Sequence, residues 1–332
     1  MSQVNLPHRR GRRARSPEDI PSRGWFDIVW RVLRAAKRDR ITILAAGVAF
    51  YSLLALFPTI AAVISLWGLF FNPIEAGQQL YEVSRFMPPD AANLIDQQAQ
   101  QVVESTESGN TMTALVGLLV AMFIASKAVG VLVIGLNVVY GEQEKRPILW
   151  RGVVLTLLTF GLIGMTLVSL GFIAVVPAVV DSLMIESPVD IVLKWLRWPA
   201  LLIIMSFLIA LLYRYAPYRR SAQWRWLSYG TLLATLLWLL GSGGLSLYVR
   251  YFSSFSELYG SLGAVVALMM WFWMSAFVVL LGAEVNSEME RQTCNDTTVG
   301  EERPLGDREA FAADTLGVEN PWNDEDEKTR ER

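Results

Sequence analysis

YGSLGAVVALMMWFWMSAFVVLLGAEVNSEME, Tyr259 to Glu290, is the stretch on which the fold turns. From Leu262 to Ala283 it carries no charge. As a helix at about 1.5 Å per residue, those residues reach roughly 33 Å, enough to cross the hydrocarbon of a bilayer. Gly260, Gly263, Ala264 and Ala267 offer small side chains where another helix can approach closely. Trp271, Phe272 and Trp273 form an aromatic block in mid-span, and the run ends on Glu284, Asn286, Glu288 and Glu290. One such segment implies a membrane protein, and the rest of the chain repeats the pattern.

Of the 332 residues, 53% are hydrophobic and 18% are charged, against about 25% charged in an average soluble protein. The net charge of −2 hides an asymmetry. The first 40 residues hold eleven Lys/Arg and four acids, whereas Glu284 onward holds six Lys/Arg and fifteen acids. Cys294 is the one cysteine, so no intrachain disulfide and no cysteine metal site are expected. The single histidine, His8, lies in the Arg-rich start. Apolar sequence begins only near Ile41, so no cleavable signal is expected.

Outward from the deciding stretch, the chain divides as follows. Residues 1–23 read as a disordered basic tail that anchors by charge, and 292–332 as a disordered acidic tail. Residues 24–40 read as an interfacial amphipathic helix. Trp25, Val29, Val32, Leu33 and Ala36 share one face, and Asp27, Arg31, Arg34 and Arg38 another. Residues 41–291 form a six-span membrane domain. Its spans are Ile41–Phe71, Thr111–Tyr140, Trp150–Val180, Lys194–Tyr215, Trp224–Tyr251 and the opening stretch. Pro58 interrupts the first span by removing a backbone donor, which suits a kink or hinge. Gly241, Ser242, Gly243 and Gly244 weaken the fifth span and permit close packing, with Gly243 and Gly244 as further hinge candidates. Residues 72–110 read as an extracytoplasmic cap, with an amphipathic helix after the N-cap residue Asp90. The expected fold is an all-α polytopic bundle.

The connections fix an expected orientation. With six spans, the N-terminus, 141–151, 215–225 and the C-terminus lie on one side. Those short connections hold Lys145, Arg146, Arg151, Arg219, Arg220 and Arg225. The opposite connections hold Arg85, with Lys194, Arg197 and Arg250 at helix margins. Basic residues mark the cytoplasmic side, so both termini are expected there, in a bacterial inner membrane.

Four stretches resemble the YihY/BrkB family of bacterial inner-membrane proteins. They are AAGVAFYSLLALFP (45–58), LNVVYG (136–141), LLWLLGSGGLSLYV (236–249) and YGSLGAVVALMMWFWMSAFVVLLGAEVN (259–286). The likeness covers roughly 25–291 and leaves both tails outside. It implies an integral inner-membrane protein whose relatives are described as transporters or as virulence-associated, serum-resistance factors. Some look-alikes carry the label ribonuclease BN. The residues argue against that label here. A metal-dependent nuclease needs clustered His and Asp, and metal-free RNA cleavage uses His pairs. No catalytic residue, metal site, cofactor or nucleic-acid partner is expected, and the chain reads as a non-enzyme.

Lys127 is the sharpest chemical feature. An ammonium near mid-span costs at least about 2.5 kcal/mol on insertion scales, so it should face a partner or a wet cavity. Gly130, Asn137 and Gly141 follow at helical spacing and leave room on that face. The functional reading is an anion site, for a lipid headgroup or a small organic anion. The structural reading is a charge paired with helix-end carbonyls. Glu284 is a candidate partner, although Lys127 leans away from its level. Glu284 and Asn286 otherwise belong at the interface. Tyr51 and Tyr259 complete the candidate substrate-binding set, with interface anchoring as their plainer role. Two functions compete: a lipid or anion translocator with membrane lipids as partners, and an envelope scaffold without transport.

Overall fold

A computed structural model describes residues 10–68, 97, 100, 111–182, 188–251 and 263–319. Among them the elements are helical: a 3-10 turn at Pro17–Asp19, then α1 (Ser22–Arg38), α2 (Ile41–Gly68), α3 (Thr111–Tyr140), α4 (Ile148–Ser182), α5 (Pro188–Tyr215), α6 (Trp224–Tyr251), α7 (Gly263–Glu290) and the single turn α8 (Phe311–Asp314). The expected cap at 72–110 lies outside the described residues, apart from 97 and 100, both helical. Tyr259 also lies outside them.

Each of the six long helices α2 to α7 overlaps one of the six expected spans. Four stretches among the described residues are long and apolar enough to cross a membrane: Met122–Tyr140, Ile148–Met165, Trp224–Tyr248 and Val265–Glu290. Counting Ser22–Arg38 and Ile41–Leu56, bent by 59°, as one broken span makes five. α2 runs on helically through Pro58.

α7 is the hub. It packs against α1, α2, α3, α6 and α8, while α2 pairs closely with α3 and α4 lies against α5 and α3. The core gathers Ile41, Ala45 and Val48 of α2, Val133 and Leu136 of α3, Ala234 of α6, and Ala276, Leu280 and Ala283 of α7. α4 is peripheral, with Ile148, Leu149, Trp150 and Leu157 exposed.

The closest helix crossing joins α6 to α7. A Cβ added at Gly230 would collide with the carbonyl oxygen of Gly282, and one at Gly282 would lie 2.5 Å from both the Gly230 carbonyl and the Tyr213 hydroxyl. Small residues are what let two backbones meet this way. Polar groups then fasten the crossing. The Gly230 amide donates to Asn286 Oδ1 (2.9 Å) and Trp238 donates to Ser275 (3.0 Å), while Tyr213 of α5 donates to the Val279 carbonyl (2.7 Å) and ties α5 to the same part of α7. Trp271 donates to Ser242 (3.2 Å), and Gly241 faces Met274 so tightly that a Cβ there would strike its sulfur. Gly243 and Gly244 are instead exposed, and among the described residues an added Cβ at either would meet no atom within 4 Å, which corrects their expected part in close packing.

Both tail expectations are corrected over the described residues. Residues 10–20 and 293–319 fold back on the end of the bundle, and Arg12, Thr293, Thr297, Thr298 and Arg308 are buried. Composition misled because the buried polar groups have specific partners. Thr293 donates to the Ala14 carbonyl (2.6 Å), Arg12 to that of Gly317 (2.6 Å), and Arg308 to those of Cys294 (2.6 Å) and Ala313 (2.6 Å).

Gly282→Val should therefore destabilise the bundle by about 1–3 kcal/mol through overpacking. Gly244→Ala, with open space around it, should leave stability unchanged or raise it. Thermal unfolding of the purified protein in detergent checks both.

Candidate functional site

Lys127 sits 13 residues before the end of α3, about 20 Å along the helix axis. It does not face the bundle interior. It lies on an exposed stripe with Val116, Val120, Phe123, Ile134 and Val138. Its ammonium lies over the Phe123 ring, 4.7 Å from the centroid, a cation–π contact. The opposite face of α3, through Val129, Val133 and Leu136, makes the core. α3 is apolar nearly all round, so residue spacing gave no indication of which side would be buried.

The residues expected beside Lys127 are therefore apart from it. Gly130 is buried, with Leu155 of α4 as the neighbour an added Cβ would meet at 3.8 Å. Asn137 is buried in a joint: its amide donates to Glu144 (3.2 Å), and its Oδ1 accepts from the Tyr218 backbone (2.7 Å). It ties α3 to the two following connections on that side. Tyr51 is half-buried, its ring edge-on to Phe50. Among the described residues no carboxylate pairs with Lys127, and Glu284 lies elsewhere, against the end of α1.

The acidic end of α7 is the feature that residue spacing alone did not disclose. The helix does not stop at Ala283 but continues to Glu290, and Glu284, Asn286, Glu288 and Glu290 are all buried. This corrects the expected place of Glu284 and Asn286 at the interface. Glu290 accepts two bonds from Arg219 (3.0 and 2.6 Å) and one from Thr297 (2.8 Å). Arg219 also covers the Tyr140 ring, 4.8 Å from its centroid. Burial alone would favour a neutral Arg219, but the Glu290 carboxylate outweighs it and holds the charge on. Glu288 accepts from Arg31 (2.5 Å) and Arg291 (2.7 Å), and Arg31 reaches on to Gln292 (2.6 Å). Arg10 meets Asp27 at 3.2 Å.

These pairs revise the reading of α1. Gly24, Asp27, Ile28, Arg31, Val32 and Ala35 make its buried stripe, while Phe26, Val29 and Leu33 point outward with Arg34 and Arg38. The two charges turn inward because α7 and the chain ends supply their partners.

The C-terminal segment closes over this end as a strap. The Val299 amide bonds to the Ser221 carbonyl (2.9 Å), Phe311 donates to Glu142 (2.7 Å), and the Phe311 ring fills the space over Gly141. Gly141 has φ +71°, a conformation that favours glycine. Burial pushes the Glu142 carboxyl up from its ordinary value. Asp296 is held below its ordinary value: burial opposes ionisation, but bonds from the Arg303 amide (2.9 Å) and from Thr298 (2.9 and 2.7 Å) outweigh it. Among the described residues, no three His, Cys, Asp or Glu are placed to hold a metal ion.

Long apolar helices around one central helix, closed at one end by buried ion pairs, define a multi-pass membrane protein. The family model for virulence factor BrkB matches residues 32–305, and the chain belongs to that family. It is 29% identical over 270 residues to a UPF0761 membrane protein of Cronobacter sakazakii, covering 80% of this chain and 88% of that one. A UPF0761 membrane protein of Vibrio cholerae is 26% identical over 274 residues, with the same coverage. A ribonuclease-like protein of Bacillus subtilis, YfkH, is 26% identical over 253 residues, covering 75% of this chain and 90% of its own. No solved structure matches the chain.

Two measurements check this end of the molecule. Arg219→Ala should destabilise the protein by about 3–5 kcal/mol, because it leaves Glu290 charged and buried; denaturation of the variant reads this directly. Asp296, with its folded value depressed, contributes stability that is present above about pH 3.9 and lost as pH falls through that depressed value. The strap should therefore become sensitive to an acid protease below about pH 4, and Asp296→Asn should show the same sensitivity at neutral pH.

Proposed function

We propose that this protein is a translocator of a lipid or another anionic solute, and that Lys127 is the group that receives the anion. The carrying observation is a mid-helix ammonium on an exposed stripe with no carboxylate partner among the described residues. Facing hydrocarbon alone, such a charge costs at least about 2.5 kcal/mol, and one aromatic ring offsets only part of that. An anionic headgroup entering sideways along α3 would supply the missing counter-charge. An outward Lys127 supports a laterally open site over the enclosed cavity that residue spacing suggested. Membrane lipids are then both solvent and partner.

In this reading the chain lies in the bacterial inner membrane with both termini in the cytoplasm. Residues 10–20, the connections after α3 and α5, and the strap all meet at one end, through Arg146 to the Ala216 and Pro217 carbonyls (3.1 and 2.9 Å), Arg219 to Glu290, and Arg12 to Gly317. That end carries the Lys/Arg bias which marks the cytoplasm. The outward Phe26, Val29 and Leu33 of α1 suit a helix in the headgroup layer beside it.

Lys127→Met should abolish movement of a fluorescent anionic phospholipid across reconstituted vesicles while leaving expression and thermal stability normal or improved. Lys127→Arg should keep part of the activity, since the charge stays and the shape changes. A fully active Lys127→Met removes Lys127 from the mechanism. A wild-type protein that moves no lipid or organic anion favours the envelope scaffold instead. Reporter fusions after Gly141 and Arg332 should both read cytoplasmic, and an extracytoplasmic signal from either overturns the orientation.

A further inference from the structure

Glu284 is the acid of α7 that the ion-pair network leaves out. It is 1% exposed, and its Oε1 has no hydrogen-bond partner among the described residues. Glu288 and Glu290, on the next turns, are each gripped by an arginine. Glu284 instead faces the joint where α1 ends and α2 begins. There the chain breaks at Asp39 and Arg40, with Arg40 at φ 49° and the two helices bent by 59°. The neighbour within hydrogen-bonding reach of the Glu284 carboxyl is another acid, Asp39. Both Asp39 oxygens are already taken by Arg38, from Nε (2.8 Å) and Nη2 (2.9 Å).

We propose that Glu284 and Asp39 form a proton-binding site, one proton shared between two carboxyls across the α1–α2 joint. The geometry leaves the Glu284 oxygen without any other donor. Two carboxylates at hydrogen-bonding distance repel, whereas a carboxylic acid and a carboxylate make a short, strong bond. Arg38 donates to both Asp39 oxygens on the more open side, so Asp39 is the acceptor of the pair and Glu284 the donor. The charged and titratable groups facing the site are few. α1 offers Arg38 and Asp39; α7 offers Glu288, held by Arg31 and Arg291; α3 offers the Tyr140 hydroxyl. α2 presents no charged side chain from Ile41 to Gly68. Removing the proton sets two negative charges against each other with Arg38 alone between them, and the joint opens.

The inference stands whether or not the protein moves a lipid, since it concerns what holds α1 to α7. The full-length protein in lipid nanodiscs tests it. The wild type should lose several degrees of thermal stability as pH rises from 6 to 9, and Glu284→Gln, whose amide keeps a donor toward Asp39, should lose that dependence. Parallel pH curves for wild type and Glu284→Gln overturn the proposal. A second measurement needs no variant. Dicyclohexylcarbodiimide adds to protonated buried carboxyls, so peptide mass spectrometry of the wild type should find Glu284 modified at pH 6 and far less at pH 9. Modification that does not change over that range, or none at pH 6, overturns it as well.

Discussion

Acids at the end of the central helix must be buried, and the rest of the structure answers that constraint. A carboxylate removed from water is tolerated only with a counter-charge and full hydrogen bonding. Glu290 draws in Arg219 from the connection after α5, and Glu288 draws in Arg31 from α1. Each arginine brings its own segment. The connections, the first helix and both chain ends thus collect at one end of the bundle. The ion pairs there specify an arrangement more than they add net stability, since desolvation consumes most of their attraction.

Above that end, geometry of another kind takes over. Lipid tails are as apolar as leucine, so burial alone does little to hold helices together in a membrane. The Gly230–Gly282 crossing brings two backbones into direct contact, Asn286 bonds across it, and Tyr213 of α5 bonds to α7 beside it. Such a crossing fixes α6 on α7 at one register. α4, with few buried residues along its first half, has no comparable attachment among the described residues.

The helices were legible in the sequence because their signal is length and apolarity. Thr111–Tyr140 and Trp224–Tyr251 fall on the expected residues. What was not legible is which side of an almost uniformly apolar helix packs inward. Lys127, Gly130 and Asn137 recur at helical spacing, yet Lys127 faces out while the other two are buried. The tails were misjudged for a related reason. An acidic run reads as solvated when its partners are far away in the chain, and Arg12 bonds to the backbone at Gly317, 305 positions away. Gly282, four residues before Asn286, was available as a clue to the helix crossing, but nothing in its neighbours FVVLLGAEVN marks which helix it meets.

The strap carries a consequence for how the chain is made. α1 exposes Asp27 and Arg31 on the side that must face α7, and the groups that cover this side include Glu288, Gln292 and the backbone at Val318. Glu288 lies in the last turn of the last long helix, and Gln292 and Val318 follow it, so these groups leave the ribosome only as that helix is completed or later. Until then the first helix has no finished seat, and its charged side is open to whatever machinery inspects nascent membrane proteins. Closure of the fold is a report that translation has passed the strap, so a copy truncated before it displays the defect at its first helix.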